Sequence, residues 1–183
     1  MTNVLFIQGA GSVGAHEEDR ALVQSLRNTL GSGFAVHYPP MPDEAEPKFD
    51  VWKTTILEHS TRLEPDLVLA GHSIGASVLA KVMTTPGNKP ACRGLFLVAA
   101  PFWHDDAFWN WPDCTLARDA ADRLPASLPV YFYHGTADPF VPVSHLDMYG
   151  AALPKAVLRR LPARDHQMNE DLSEVASDIA SLI

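Results

Sequence analysis

The sequence predicts an α/β fold: a mainly parallel sheet of about six strands with helices on both faces. Three observations support this. Short apolar runs alternate with segments that can run as helices from one end of the chain to the other. Most strand candidates are short apolar runs, as parallel strands covered on both faces require. Finally, the pentapeptide Gly71-His72-Ser73-Ile74-Gly75 stands between such a run and a helical segment, the setting of a sharp strand-to-helix turn.

The elements follow in order. A strand is expected over about Val4–Gln8, then a helix over His16–Leu30. In that helix Leu22, Leu26 and Leu30 recur at spacing four, Gly31 or Gly33 can cap the end, and His16, Glu17 and Glu18 form a first turn whose acidic residues suit the helix dipole. A second strand, Ala35–Tyr38, runs into a proline-rich loop, Pro39 to Pro47, which cannot be helical. Helix Asp50–Leu63 leads to the strand Leu67–Ala70 and the helix Ala76–Thr84, which Pro86 stops. The strand Gly94–Ala99 opens a loop, Pro101 to Pro112, that carries Trp103, Trp109 and Trp111. Helix Cys114–Arg123, strand Val130–Tyr133, helix Ser144–Ala152 and strand Val157–Leu161 follow. The last helix, Glu170–Leu182, has Leu172, Val175, Ile179 and Leu182 in a stripe behind Asn169 as its expected N-cap.

With 183 residues, 46% of them hydrophobic and 20% charged, the chain has enough apolar material for one domain spanning residues 1–183, with no repeat or linker dividing it. Its formal charge of −8 argues against nucleic acid and anionic membrane as partners, because both require a basic face. Cys92 and Cys114 have neither zinc nor redox spacing, which suits a reducing compartment. No apolar run reaches the ~18 residues needed to span a bilayer, and the N-terminus enters a strand directly without a basic leader. A cytoplasmic location is the expectation.

The chemistry is concentrated downstream of Ser73. A serine hydroxyl is a weak nucleophile until a base takes its proton, and the base must itself be oriented by a third group. Asp138 directly follows one strand, in His134-Gly135-Thr136-Ala137-Asp138-Pro139-Phe140-Val141-Pro142. His166 follows the next strand, in Arg164-Asp165-His166-Gln167. The order is serine, acid, histidine, with all three at carboxyl ends of strands, where open α/β sheets bind ligands. Asp105, Asp106 and Asp113 are rival acids on the loop after Gly94–Ala99. His134 and His145 read as structural, and His72 should point away from the serine. Gly9-Ala10-Gly11-Ser12-Val13-Gly14 follows the first strand, but Phe34 stands where a dinucleotide site needs an acid, so no nucleotide cofactor is expected.

Taken together, G-H-S-I-G, H-G-T-A-D-P-F-V-P and the late Asp-His resemble the α/β-hydrolase superfamily. The short length, the opening Ile7-Gln8-Gly9-Ala10-Gly11 and the Trp-rich insert are similar to its small, lidless serine hydrolases, the group that includes the retinoblastoma-binding hydrolase and its bacterial relatives. The resemblance covers nearly the whole chain. It implies Ser73 as nucleophile, His166 as base, Asp138 as orienting acid, and no large cap. The chain departs from the pattern at Gln8-Gly9, where many hydrolases have His-Gly. Backbone N–H groups of Ile74 and Ala10 are the expected oxyanion donors.

The expected activity is cleavage of ester or related acyl bonds in a small-molecule acyl substrate through an acyl-serine, with no cofactor and no metal. The alternatives are an acyltransferase using the same residues, or a binding protein that retains them as a relic. Met41, Phe102, Trp103 and Trp109 are the expected pocket walls. The identity of the acyl group and the oligomeric state are not legible in the residues.

Overall fold

The computed structural model describes residues 1–182. Six strands, β1 (Thr2–Ile7), β2 (Phe34–His37), β3 (Leu67–His72), β4 (Leu95–Val98), β5 (Val130–Gly135) and β6 (Val157–Leu161), form one sheet in the order β2-β1-β3-β4-β5-β6. Every neighbouring pair is parallel. Among the described residues seven helices accompany it: α1 (Ala15–Glu18), α2 (Arg20–Leu30), α3 (Phe49–Leu63), α4 (Ser73–Thr84), α5 (Ala120–Arg123), α6 (Ser144–Ala152) and α7 (Ser173–Ala180). Short 3₁₀ turns lie at Gly31–Gly33, Pro112–Cys114 and Met168–Glu170.

The central strands β1, β3, β4 and β5 bury both faces because they have little polar side to turn outward, whereas the edge strands β2 and β6 stay partly or largely exposed. Successive residues go to opposite cores. Leu5 and Ile7 of β1, Leu67 and Leu69 of β3, Leu95 and Leu97 of β4, and Val130 and Phe132 of β5 pack with Trp52 and Ile56 of α3, Leu79 of α4 and Tyr149 of α6. Val4, Phe6, Val68, Ala70, Phe96, Val98 and Tyr133 pack instead with Leu22 and Leu26 of α2 and Val175 and Ile179 of α7. This is the two-residue period of a pleated strand sorted onto two layers of helices.

The helix expected over His16–Leu30 is two helices, divided at Asp19, whose carboxylate turns inward to accept the N–H of Gly9 at 2.7 Å. The helix expected over Cys114–Arg123 shrinks to Ala120–Arg123, preceded by the 3₁₀ turn at Pro112–Cys114. The last helix starts at Ser173 rather than Glu170. Asn169, the expected N-cap, lies in the left-handed region (φ 52°), and Asp171 Oδ1 instead accepts the Ser173 N–H at 2.9 Å. Asn169 serves the preceding loop, where its Oδ1 accepts the Asp165 N–H and its own backbone N–H donates to Asp165 Oδ1.

The chain runs outward from β1 to β2 and then returns to β3 on the other side of β1. The carboxyl ends of β1 and β3 are therefore the switch point where a doubly wound sheet opens a crevice. The loops leaving β1, β3, β4, β5 and β6 all emerge on this edge.

Candidate active site

Ser73 stands where β3 turns directly into α4, with φ at 51°, a conformation that strains any residue other than glycine. The glycines on either side make the turn possible. A β-carbon at Gly75 would run into the carbonyl oxygens of Gln8 and Ile7, so only glycine lets α4 start this close to the end of β1. One at Gly71 would meet the Leu79 side chain at 2.9 Å. The strand and helix thus pass close together and hold the hydroxyl up at the sheet edge.

His166 reaches this hydroxyl from the loop after β6, with Nε2 3.0 Å from Ser73 Oγ. Its other nitrogen, Nδ1, donates to Asp138 Oδ2 at 2.7 Å. Asp138 can only accept there, so Nδ1 carries the proton and Nε2 is left to receive one from the serine. The Asp138 side chain is 0% exposed and its carboxylate is fully engaged. Oδ1 accepts the N–H groups of Phe140 and Val141 at 2.9 Å each, and Oδ2 also lies 3.3 Å from His134 Nε2. Burial pushes this carboxyl up, but the hydrogen bonds from His134 and His166, the attraction to His166 and the Val141 N–H outweigh it, and the group lies well below the usual carboxylate range.

The rival acids are elsewhere. Asp106 Oδ1 caps its own loop by accepting the N–H groups of Phe108 and Trp109, Asp105 is exposed, and Asp113 belongs to the 3₁₀ turn. The two histidines nearest the Asp138 loop in sequence brace backbone. Buried His134 donates from Nε2 to the Val141 carbonyl at 2.9 Å. His145 Nδ1 accepts the Phe102 N–H at 2.8 Å, a bond that requires a neutral ring, and burial together with nearby His134 and His104 lowers its ionisation to about 4.

The turn after β1 supplies candidate oxyanion donors. Gly9 N–H is taken by Asp19 and Gly11 N–H by the Glu44 carbonyl, whereas Ala10 N–H between them makes no hydrogen bond among the described residues. Ile74, in the first turn of α4, has an N–H that no helical carbonyl can reach. Gln8, standing where many hydrolases have histidine, is fully buried. It donates to Glu44 at 2.7 Å and accepts the Met41 N–H at 2.9 Å. Glu44 also accepts the N–H groups of Gly14 (2.5 Å) and His16 (2.8 Å), which hold its carboxyl below the usual range. The proline-rich loop is thus a brace for the β1 turn.

Ala10, Ile74, Ser73 and His166 open onto a cavity of about 710 Å³, whose far walls are Trp103, Trp109, Phe140 and Val141. Two of the expected walls lie elsewhere. Met41 is 5% exposed and packs in the core beside Phe49 and Trp52, because the bond from its N–H to Gln8 draws the loop inward. Phe102 does not line the cavity and packs edge-on against Tyr149, with ring centroids 5.0 Å apart. Pro101, whose carbonyl accepts hydrogen bonds from Ser77 and Tyr149, pins the start of this loop and so leaves Trp103 and Trp109 facing the cavity. Nothing in the sequence singles out Phe140, an exposed aromatic beside His166, or Asp19. The one signal for Asp19 was its position four residues before Val23, on the face of α2 that turns inward.

A parallel α/β sheet with serine, histidine and aspartate gathered at the carboxyl edge of its strands and no large cap defines the class of small α/β-hydrolases. The comparisons narrow this. The sequence profile of the serine hydrolase family matches residues 23–171, and the chain belongs to that family. No curated protein sequence matches it. Among solved structures it is similar to the ydeN gene product of B. subtilis, with 17% identity, TM-score 0.73 and coverage of 100% of this chain and 98% of the other. It is also similar to Est1E of Butyrivibrio proteoclasticus with ferulic acid bound, with 15% identity, TM-score 0.66 and coverage of 99% and 87%. SOBER1 of Arabidopsis thaliana is a third, with 15% identity, TM-score 0.67 and coverage of 99% and 98%. The protein is a serine hydrolase. Among the described residues, no helix is long and apolar enough to cross a membrane.

Proposed function

We propose that the protein hydrolyses esters or related acyl compounds through an acyl-Ser73 intermediate. The observation that carries this is the unbroken path from Asp138 to His166 to Ser73, at 2.7 Å and 3.0 Å. Ser73 Oγ adds to the substrate carbonyl while its proton passes to His166 Nε2. The carbonyl oxygen becomes an oxyanion held by the N–H groups of Ala10 and Ile74. The intermediate collapses with cleavage of the bond to the leaving group, which takes the proton from His166. Water then adds to the acyl-serine with His166 again as base, and the acid departs as Ser73 regains its proton. Asp138 fixes the tautomer throughout and stabilises the imidazolium between steps.

The substrate side of the cavity is aromatic, with Trp103, Trp109 and Phe140 around the serine, which suits a small acyl ester or thioester carrying an apolar group. None of these steps calls for a metal or an organic cofactor. The test is a fluorophosphonate probe followed by peptide mass spectrometry and a panel of p-nitrophenyl esters of increasing acyl length. Labelling at Ser73 with turnover of the panel is expected. A folded protein that neither labels nor turns over any ester would be a binding protein with a relic site. Release of acyl groups only to an alcohol acceptor and not to water would make it an acyltransferase.

A further inference from the structure

Behind the Ser73–His166–Asp138 path lies a second aspartate–histidine pair, made by residues that the steps above do not use. Asp19, in the break between α1 and α2, and His72, the last residue of β3, are each 1% exposed. His72 Nδ1 lies 2.9 Å from Asp19 Oδ1 and 3.0 Å from Oδ2. His72 Nε2 lies 2.9 Å from the backbone carbonyl oxygen of His166. The Asp19 carboxylate also accepts the Gly9 N–H at 2.7 Å and the Gln167 side-chain amide at 3.1 Å.

These contacts determine where the protons are. A neutral imidazole has one N–H and one lone pair. A carbonyl oxygen can only accept, and so can a carboxylate that already receives N–H groups on both oxygens. Both nitrogens of His72 therefore face acceptors, and a neutral ring would set two lone pairs against each other at one of them. We propose that His72 is held as a buried imidazolium by Asp19, and that this ion pair positions the catalytic base through the His166 carbonyl and the oxyanion turn through Gly9.

The environment is consistent with the charged pair. Burial alone would discharge both groups, lowering His72 and raising Asp19, yet their mutual attraction and hydrogen bonds leave His72 raised and Asp19 lowered. The ionisable groups around His72 are Asp19, from the α1–α2 break; His166, from the loop after β6, with ring centroids 4.8 Å apart; and Asp138, from the loop after β5. A single charged hydrogen bond thus fixes the backbone of the residue whose ring must meet Ser73. The same carboxylate fixes Gly9, next to the Ala10 N–H. Both halves of the site, base and oxyanion donor, are referred to one buried anion. His72 and Asp19 touch no reacting atom, so they are positioning residues.

The kinetic part of this inference rests on the reading of Ser73 and His166 given above; the protonation part does not. It is tested first by long-range proton–nitrogen NMR of the uniformly ¹⁵N-labelled protein. Two protonated ring nitrogens at His72, persisting at neutral pH, are expected. A neutral His72 ring there overturns the proposal, whatever the enzyme's activity. The second arm compares His72→Leu with His72→Gln on the same p-nitrophenyl ester. His72→Leu should lose on the order of 10² in kcat with little change in KM, since it frees the backbone of the base. His72→Gln, whose amide can still donate to the His166 carbonyl, should recover most of that loss. A folded His72→Leu protein with wild-type kcat would overturn the positioning role. Full turnover in Ser73→Ala would instead overturn the acyl-serine reading and leave the NMR result standing.

Discussion

Gly135, the last residue of β5, lies directly against the backbone of Arg164: a β-carbon there would overlap the Arg164 carbonyl oxygen and crowd that of Asp165. This approach brings the loop after β5, which carries Asp138, alongside the loop after β6, which carries His166. Ala137 N–H and Thr136 Oγ1 stitch the two loops together, bonding to the Arg164 carbonyl and the Ala163 N–H at 3.0 and 2.9 Å. Gly135→Ala should therefore reduce kcat by at least about 10²-fold, because a shift of ~1 Å between base and acid is enough for that loss. Far-ultraviolet circular dichroism on the same preparation separates this from unfolding. Wild-type turnover in Gly135→Ala would show that the two loops have slack.

Ser73→Ala should abolish fluorophosphonate labelling and ester turnover with the fold retained, since the side chain is small and its removal leaves the turn glycines in place. His166→Ala should lose on the order of 10³–10⁶ in kcat, the range seen when members of such constellations are removed. His134→Ala and His145→Ala, which remove backbone braces, should act mainly on melting temperature. If His134→Ala gave the larger kinetic loss, the base would be misassigned.

Asp138→Asn should lower kcat by about 10⁴-fold with KM nearly unchanged, because an amide permits the wrong imidazole tautomer and offers no charge to the imidazolium. Asp105→Asn, Asp106→Asn and Asp113→Asn, measured beside it, should stay near wild type. An inactive variant among these three, with an active Asp138→Asn, would move the acid to the tryptophan loop.

Stability should respond to pH from two directions. Asp138 is depressed in the folded protein, so its contribution is complete above the unfolded carboxyl value of ~3.9 and disappears as pH falls below that. His72 is raised, so its contribution is complete below the unfolded imidazole value of ~6.5 and disappears as pH rises through the folded value. The melting temperature should fall on the acid side in wild type and fall less steeply there in Asp138→Asn. On the alkaline side, the decline should be shallower in Asp19→Asn/His72→Gln. Parallel curves for wild type and variants would remove these groups from the balance.

The proposed acyl-Ser73 mechanism calls for no Lewis acid, so kcat/KM should be unchanged after dialysis against EDTA. Loss of activity on chelation, restored by zinc or manganese, would assign the chemistry to a metal-bound hydroxide.

The parts of this protein legible in its sequence are those that local physics decides. The central strands could be read because each is a nearly unbroken apolar run, which can be satisfied only by burial on both faces; the edge strand β6, with Arg159 and Arg160, is exposed and was legible mainly from its place in the alternation. Ser73, Asp138 and His166 could be singled out because each directly follows a strand candidate, and strand ends in a parallel sheet share one edge. The tertiary structure decided what lies between residues far apart in the chain. His16-Glu17-Glu18-Asp19 has the composition of a solvated first turn. Only the fold shows that Asp19 turns inward, since its partners His72 and Gln167 are 53 and 148 positions away. Met41 reads in sequence as a pocket wall, but its N–H donates to buried Gln8, 33 positions back, and turns the residue into the core. A single loop residue has two sides, and its own sequence carries no term for which side faces the core. That choice is made by hydrogen-bond partners that exist only once the sheet has assembled.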